Sequence, residues 1–150
     1  MTEITTATVF NHAVPADAMQ VDALSPVVAE QQARGRYDDL LAIRRSIHAR
    51  MQRGRFFNSR LFADPAWDML LELYAAALTQ RRLPISRLAD RAGVPMTTAL
   101  RWINTLESEG LVERQPDRLD GRRVFITLSN KGVDAMAAYM DGLPENTKLL

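Results

Sequence analysis

A tight helical turn followed directly by two strands is the feature of this sequence that most restricts its fold. Residues 87–92 and 95–109 have helical patterns, and Gly93 lies between them. Glycine readily takes the left-handed conformation that ends a helix, so a short turn is expected to join the two helices. Ala89 and Gly93 are small, as two steeply crossing helices require where they approach each other. The pattern favours a helix-turn-helix, and an ordinary pair of antiparallel helices is the alternative.

The residues that follow predict a β-hairpin. Residues 111–115 and 123–128 have strand character, and the polar segment 116–121 between them is rich in turn-forming residues. A helix-turn-helix followed at once by a hairpin with arginines at its tip is a winged helix. We therefore predict a mainly α fold with a small β-hairpin wing (α+β), a winged helix-turn-helix with flanking dimerisation helices.

Helical patterns flank this region on both sides. In residues 37–53 apolar side chains recur at steps of three and four, which defines one apolar face. A second helix is expected to begin at Asp64 and Pro65, an N-cap residue followed by a proline suited to the first helical position. Ser86 and Ser129 are the expected N-caps of the helix before the tight turn and of the last helix.

The formal net charge of +1 hides an uneven distribution along the chain. Residues 1–33 carry four acids and no Lys or Arg, whereas residues 34–60 carry eight arginines against two aspartates. Residues 81–123 carry nine arginines against six acids. Arginine pairs bidentately with phosphate and with guanine, so a basic surface that contacts nucleic acid is one reading, and ordinary solvated helix faces are the other. The predicted segments are a mobile acidic leader (1–33), an N-terminal dimerisation helix and connection (34–62), a winged-helix domain with a C-terminal helix (63–142) and a tail (143–150).

Several kinds of chemistry lack the residues that they need. The sequence has no cysteine, which excludes disulfides, thiolate nucleophiles and Cys-ligated metals. His12 and His48 have no spacing typical of a metal site, so we expect no metal, no cofactor and no enzymatic activity. No apolar run approaches the roughly 18 residues of a membrane span, and the amino terminus has no signal-peptide pattern. We therefore expect a cytoplasmic protein.

The segment from residue 44 to residue 140 resembles the MarR (multiple antibiotic resistance regulator) family of bacterial transcription factors. The resemblance is carried by ISRLADRAGV at 85–94, TTALR at 97–101, LESEGLV at 106–112, the wing residues Asp117, Asp120 and Arg122, and LSNKG at 128–132. Two positions depart from the family pattern. Pro95 replaces the usual hydroxyl cap of the recognition helix, and Leu100 stands where a polar side chain usually faces DNA.

The resemblance implies a transcriptional regulator that binds double-stranded DNA in a sequence-specific way. The helix 95–109 would lie in the major groove and the wing 116–123 in the minor groove, where Asp120 would orient the guanidinium of Arg122. The predicted DNA-binding residues are Thr97, Thr98, Leu100, Arg101, Asn104, Arg118, Arg122 and Arg123. Packing against the preceding helix is the alternative role for Leu100, and simple outward alternation in a strand is the alternative for Arg123.

The resemblance also implies a homodimer on a pseudo-palindromic operator. The family's long second C-terminal helix is not expected here, so dimerisation should rely on residues 37–53 and 133–140. The predicted interface residues are Leu40, Ile43, Ile47, Met51, Met136 and Met140. A small aromatic effector is a further implication, in a crevice lined by Phe56, Phe57, Trp67 and Tyr74, with core packing of these aromatics as the alternative. The alternative for the whole protein is a winged helix used for protein contact rather than for DNA binding.

Overall fold

The computed structural model describes residues 26–144, apart from the side chains of Pro26, Ser59 and Arg60. In chain order the elements are α1 (Pro26–Phe56), a short 3₁₀ helix (Ser59–Phe62), α2 (Pro65–Leu78), β1 (Leu83–Pro84), α3 (Ile85–Arg91), α4 (Met96–Ser108), β2 (Val112–Pro116), β3 (Val124–Leu128) and α5 (Asn130–Asp141). None of the helices in this part of the chain has the length and apolar character to cross a membrane. The predicted fold class, mainly α with a small β-hairpin wing, is confirmed.

Helix α2 lies at the centre of the core because its sequence is apolar on most of its circumference. Met69, Leu71 and Leu73 are almost completely buried, and α2 packs against the other four α-helices and strand β3. Burying a large apolar side chain stabilises a fold by about 1.5–3 kcal/mol, so this helix contributes much of the stability. Its predicted start is confirmed, because Pro65 is its first residue and the Asp64 carboxylate accepts a hydrogen bond from the Trp67 amide at 3.3 Å.

The predicted tight turn joins α3 to α4. Gly93 has a φ of +65°, the left-handed conformation expected of it, and its amide donates to the Asp90 carbonyl at 3.2 Å. Helix α3 begins earlier than predicted. Pro84, and not Ser86, is its N-cap, and no side chain makes a hydrogen bond at this end. The reason is that β1 leads directly into α3, which leaves no free turn in which Ser86 would act as a cap.

The wing belongs to a three-stranded antiparallel sheet with the strand order β1-β3-β2. The predicted hairpin is present, with Val112 opposite Leu128 and Pro116 opposite Val124. Strand β1 was not predicted, because two residues are too few to show a periodic pattern. It pairs with β3, with Leu83 opposite Ile126 and Pro84 opposite Phe125.

Helix α1 is longer than the sequence pattern indicates. It begins at Pro26 and ends at Phe56, whereas the predicted helix covers residues 37–53. Residues 26–33, which the prediction assigned to the mobile leader, therefore belong to α1, and this corrects the boundary at residue 33. Residues 26–36 lack an apolar stripe at helical spacing, so the periodicity did not reveal them. The predicted helical turns between residues 16 and 24 lie outside the described residues.

The wing passes into α5 through a close backbone contact. Gly110 has a φ of +72°, and the Ser129 amide donates to the Leu111 carbonyl at 3.0 Å. The Ser129 hydroxyl accepts from the Gly132 amide at 3.0 Å and donates to the Gly110 carbonyl at 2.6 Å. The predicted cap at Ser129 is confirmed, and it also fastens the end of the wing to the loop that follows α4.

Candidate nucleic-acid interface

Helix α4 has one face in the core and the opposite face in solvent. Its buried residues are Ala99, Ile103 and Leu106. Of the predicted DNA-binding residues on this helix, Thr97, Leu100, Arg101 and Asn104 are exposed and Thr98 is half-buried. Leu100 has 37% of its surface exposed, so part of this side chain is accessible and the rest is covered by the protein. The spacing of these residues places them along one side of a helix, which is the surface that a major groove would meet.

Arg101 is the cation that this face presents without an internal partner. Among the described residues, none forms a hydrogen bond or an ion pair with its guanidinium. Arginine has five donors in a planar fork, so an unpaired guanidinium on an exposed helix face can pair bidentately with an acceptor outside the protein. The carbonyl of Arg101 is occupied by the Thr105 hydroxyl, which donates to it at 3.1 Å.

Asn104 is already engaged within the protein. The guanidinium of Arg114, on β2, donates from Nη2 to the side-chain oxygen of Asn104. The Nε of Arg114 also lies 3.3 Å from the Glu107 carboxylate. Contact between Asn104 and adenine would use the second lone pair of that same side-chain oxygen, which Arg114 leaves unoccupied. Arg114 itself was not predicted, because only the folded hairpin brings β2 against the outer face of α4.

Two aspartates shape the backbone of the wing tip. The Asp117 carboxylate accepts from the Leu119 amide at 2.9 Å, and the Asp120 carboxylate accepts from the Arg122 amide at 3.0 Å. Asp120 therefore contacts the backbone of Arg122, whereas the sequence-based prediction placed it against the guanidinium. The difference follows from the turn, since a short Asp side chain reaches the amide two residues ahead. Asp120 positions Arg122 by fixing the loop.

The three predicted wing arginines are exposed, but they are not equally free. Arg123 Nη1 lies 4.0 Å from the Asp117 carboxylate, a loose surface pair. No side chain in the described part of the chain pairs with the guanidinium of Arg118 or Arg122. A surface ion pair contributes about 0–1 kcal/mol, so Arg123 is only weakly restrained. The wing tip thus presents two unpaired cations and one weakly paired cation.

Two further arginines near this surface were missed by the sequence analysis. Arg87 is exposed on α3. Arg82 lies over the Phe125 ring, 4.5 Å from its centroid, at the base of the wing. Arg87 could have been found from its place in the first helix of the helix-turn-helix. Arg82 could not, because its partner becomes a neighbour only when β1 pairs with β3.

The predicted dimer-interface residues separate into buried and accessible ones. Ile43, Met136 and Met140 lie in the chain's own core, so they offer no surface to a second subunit. This corrects their assignment to the interface. Leu40 and Ile47 are half-buried, and Met51 is exposed to 67%. The core takes the first three because α2 fills the space between α1 and α5. Tyr37 and Leu41 on α1 are exposed apolar residues that the prediction omitted.

A cavity of about 460 Å³ lies between α1, α2 and the turn of the helix-turn-helix. Its lining includes four charged side chains that pair across it: Arg50 lies 2.5 Å from Asp68, and Arg91 lies 2.6 Å from Glu72. The aromatics predicted to line an effector crevice lie elsewhere. They are Phe56 and Phe57, which are exposed, Tyr74, which is in the core, and Trp67, which stacks edge-on against Tyr139 beside a cavity of about 140 Å³.

Tyr74 is buried because it belongs to the hydrophobic core. Burial raises the pKa of its phenol above the usual value, and the carboxylates of Asp39 and Asp141 raise this pKa further. The shift keeps the hydroxyl neutral within the core.

Within residues 26–144, no group of three or more His, Asp or Glu side chains is arranged to hold a metal ion.

The described residues form a winged helix-turn-helix, in which α3, the Gly93 turn and α4 are followed by the β2–β3 wing. Residues 75–116 match the IclR helix-turn-helix domain. The matched helix-turn-helix domain is typical of DNA-binding transcription regulators.

Similarity to individual proteins is partial. A stretch of 75 residues is 37% identical to a riboflavin kinase of Thermococcus kodakarensis, and it covers 49% of this chain and 34% of that protein. The chain thus spans about a third of this curated relative. Among solved structures, a complex of S. aureus MepR with DNA is 24% identical over 65% of this chain and 78% of that chain, with a TM-score of 0.49. The transcriptional regulator PA4135 is 21% identical over 84% and 80%, with a TM-score of 0.49.

Proposed function

We propose that the protein regulates transcription by binding double-stranded DNA, with α4 in the major groove and the wing tip in the minor groove. The observation that carries this proposal is the placement, on one continuous scaffold, of arginines for which no residue in the described part of the chain is a partner. Arg101 lies on the outer face of α4, and Arg118 and Arg122 lie at the wing tip. Such a fold positions side chains rigidly, which base contacts require. Arg87 on α3 would contact a phosphate, since the first helix of a helix-turn-helix crosses the backbone.

We assign the protein to the MarR type of winged helix. The support is the ordered set of motifs between residues 85 and 132, together with the physical role that one of them has here. Gly132, the last residue of the LSNKG motif, packs directly against the Leu111 backbone. A regulator of this type acts where the DNA is, so we propose a cytoplasmic location. The small aromatic effector stays a prediction, since none of the four aromatics proposed for it lines the cavity beside the helix-turn-helix.

We further propose that the regulator acts as a homodimer through α1. One winged helix makes few contacts, and a two-fold dimer places two recognition helices in successive major grooves. The exposed apolar side chains that support this interface are Tyr37, Leu41 and Met51. Selection of bound duplexes from a random library is expected to yield two inverted half-sites with centres about 10–10.5 base pairs apart. A single unrepeated half-site would exclude the dimer on DNA.

The DNA contacts are tested by replacing the two central arginines. Arg101→Ala and Arg122→Ala are each expected to weaken binding to the selected duplex by about 1–3 kcal/mol, because each removes a groove contact. Binding measured by fluorescence anisotropy over a salt series should also fall linearly on a log-log plot, with a slope of about −0.9 per phosphate contacted.

The matched control is Arg36→Ala. Arg36 is an exposed arginine of α1 for which no described residue provides an ion-pair partner, and it does not share the helix face of Tyr37 and Leu41. This variant loses the same charge far along the chain from the wing and α4, so its binding should change little. If all three variants bind alike, the site is assigned wrongly.

Protein contact is the second candidate function, and one observation favours it. Met96 and Leu100 are exposed apolar residues four positions apart on α4, so they lie on one side of the helix. A partner protein would bury them. Absence of any DNA binding at about 50 mM salt, where phosphate contacts are strongest, would favour this function over DNA binding.

A further inference from the structure

We propose that Leu100 recognises the 5-methyl group of thymine, so that the protein selects a T·A pair where this side chain meets the major groove. The inference deepens the proposed function and rests on it, because it requires α4 to lie in that groove. It concerns a contact made by apolar packing, whereas the arginines and threonines of the surface contact a ligand through hydrogen bonds.

Leu100 lies among the side chains of α4 that face solvent. It is three residues after Thr97 and four residues before Asn104, so these three side chains are neighbours on one side of the helix. Thr97 and Asn104 are exposed, and Leu100 has 37% of its surface exposed. In a helix-turn-helix the N-terminal residues of the second helix are the ones that contact base edges. Leu100 therefore belongs to the same surface as the proposed polar contacts.

Met96 enlarges the apolar part of this surface. It lies four residues before Leu100, on the same side of α4, and 43% of its surface is exposed. Apolar surface in water gains free energy when a ligand or a partner covers it. The N-terminal half of α4 thus presents an accessible apolar pair beside hydrogen-bonding side chains.

The charges around the pair favour DNA as its occupant. The first turn of α4 contains no acidic residue. Arg101 follows Leu100 directly and is exposed, and no described residue pairs with its guanidinium. Arg87 on the preceding helix is exposed as well. Cationic side chains on both helices attract a polyanion, and DNA carries an apolar group in its major groove only at thymine.

The chemistry of the base edges determines which base an accessible leucine prefers. Thymine presents a methyl group beside its O4 acceptor, whereas guanine, adenine and cytosine present hydrogen-bonding groups and no methyl group. Leucine has no polar atom, so against those groups it would displace water without replacing the lost hydrogen bonds. Against a thymine methyl group it buries apolar surface on both molecules. Leu100 therefore favours thymine over each of the other three bases.

The experiment replaces thymine by uracil, which removes the methyl group and leaves the hydrogen-bonding atoms of the base in place. A duplex selected by the full chain is synthesised with one thymine at a time replaced by uracil, and affinity is measured by fluorescence anisotropy. At one thymine or more, uracil is expected to weaken binding about three- to fivefold, the effect of leaving one methyl group unburied.

Substitutions of Leu100 show whether this side chain reads the methyl group. Leu100→Ala and Leu100→Gln should each bind the thymine and uracil duplexes equally at that position. Leu100→Met retains an apolar side chain of similar size and should retain the preference. Thermal unfolding of each variant checks that the fold is kept.

Val28→Ala is the matched control for loss of an exposed apolar side chain. Val28 is 38% exposed, and helical spacing places it on the side of α1 opposite to Tyr37 of the proposed dimer interface. This variant should distinguish thymine from uracil as strongly as the wild type does.

Two results would overturn this inference and leave the proposed function standing. One is equal affinity of the wild type for every thymine and uracil duplex. The other is full sensitivity to uracil in both Leu100→Ala and Leu100→Gln, since a different residue, such as Thr97, would then contact the methyl group. Failure of the wild type to enrich any duplex would overturn the proposed function and this inference with it.

Discussion

Gly132→Ala is expected to destabilise the protein by about 3 kcal/mol, one of the two largest effects that we expect from a single substitution. A β-carbon at this position would lie 2.1 Å from the Leu111 carbonyl oxygen and 3.2 Å from Leu128 Cδ2. The Leu111 oxygen has little freedom to move, because it accepts a hydrogen bond from the Ser129 amide at 3.0 Å. Relieving the overlap would therefore separate α5 from the end of the wing. Urea unfolding followed by circular dichroism measures the loss.

Gly35→Ala is the matched control for this effect. Gly35 lies within α1, and a β-carbon there would have no heavy atom within 4 Å. Alanine is a better helix former than glycine, so this variant should gain about 0.5–1 kcal/mol. Comparable stabilities for the two variants would show that the contact at Gly132 is not a constraint on the fold.

Arg91→Leu is expected to destabilise the protein by about 2–3 kcal/mol. Glu72 is a charged residue of α2 with only 5% of its surface exposed, and Arg91 of α3 contacts its carboxylate at 2.6 Å. The remaining cation, Arg44 of α1, lies 3.9 Å away. Removing one partner of a buried pair costs about 3–5 kcal/mol when the remaining charge has no other partner. We expect less than that because Arg44 still lies near Glu72 and because the Arg91 side chain is itself 40% exposed.

The double variant Glu72→Leu with Arg91→Leu separates this cause from simple loss of packing. When both charges are absent, no buried carboxylate remains, so the double variant should be more stable than Arg91→Leu alone. Arg87→Leu on the same helix serves as control, since Arg87 is exposed and should change stability by less than about 0.5 kcal/mol. A double variant less stable than the single one would contradict this account of Glu72.

Local features of the fold were predictable because their causes lie within a few residues. Gly93 and Gly110 end helices with positive φ, and Asp64 and Ser129 cap helices, as their sequence context indicates. The wing hairpin follows from two short strand patterns around a polar turn. The start of α1 was missed for a related reason, since residues 27–36 are exposed and need no apolar stripe.

The sequence predicted most residues of the candidate site, but it did not predict the hydrogen bonds between them. Helical spacing identified the outward residues of α4, including Arg101, and turn chemistry identified the wing tip with Arg122. Spacing did not reveal that Arg114 holds Asn104, nor that Asp120 contacts a backbone amide. Hydrogen bonds between α4 and β2 join residues that only the folded hairpin brings together.

The sequence by itself determined the class of fold, the helix ends at Asp64, Gly93, Gly110 and Ser129, and the face that α4 turns to solvent. These features depend on periodicity, caps and glycine conformations within single elements. The tertiary structure decided which apolar residues are buried in the core and therefore cannot contact a second subunit. Ile43, Met136 and Met140 have the spacing of an interface, but α2 packs between α1 and α5 and buries them in the core. It also decided which polar groups find partners within residues 26–144, where Arg101 and Arg122 have none for their guanidinium groups and Asn104 accepts from Arg114. The sequence shows which apolar side chains require burial and which charged side chains require a partner. Only the packing of the elements determines which neighbouring residue buries or pairs with each of them.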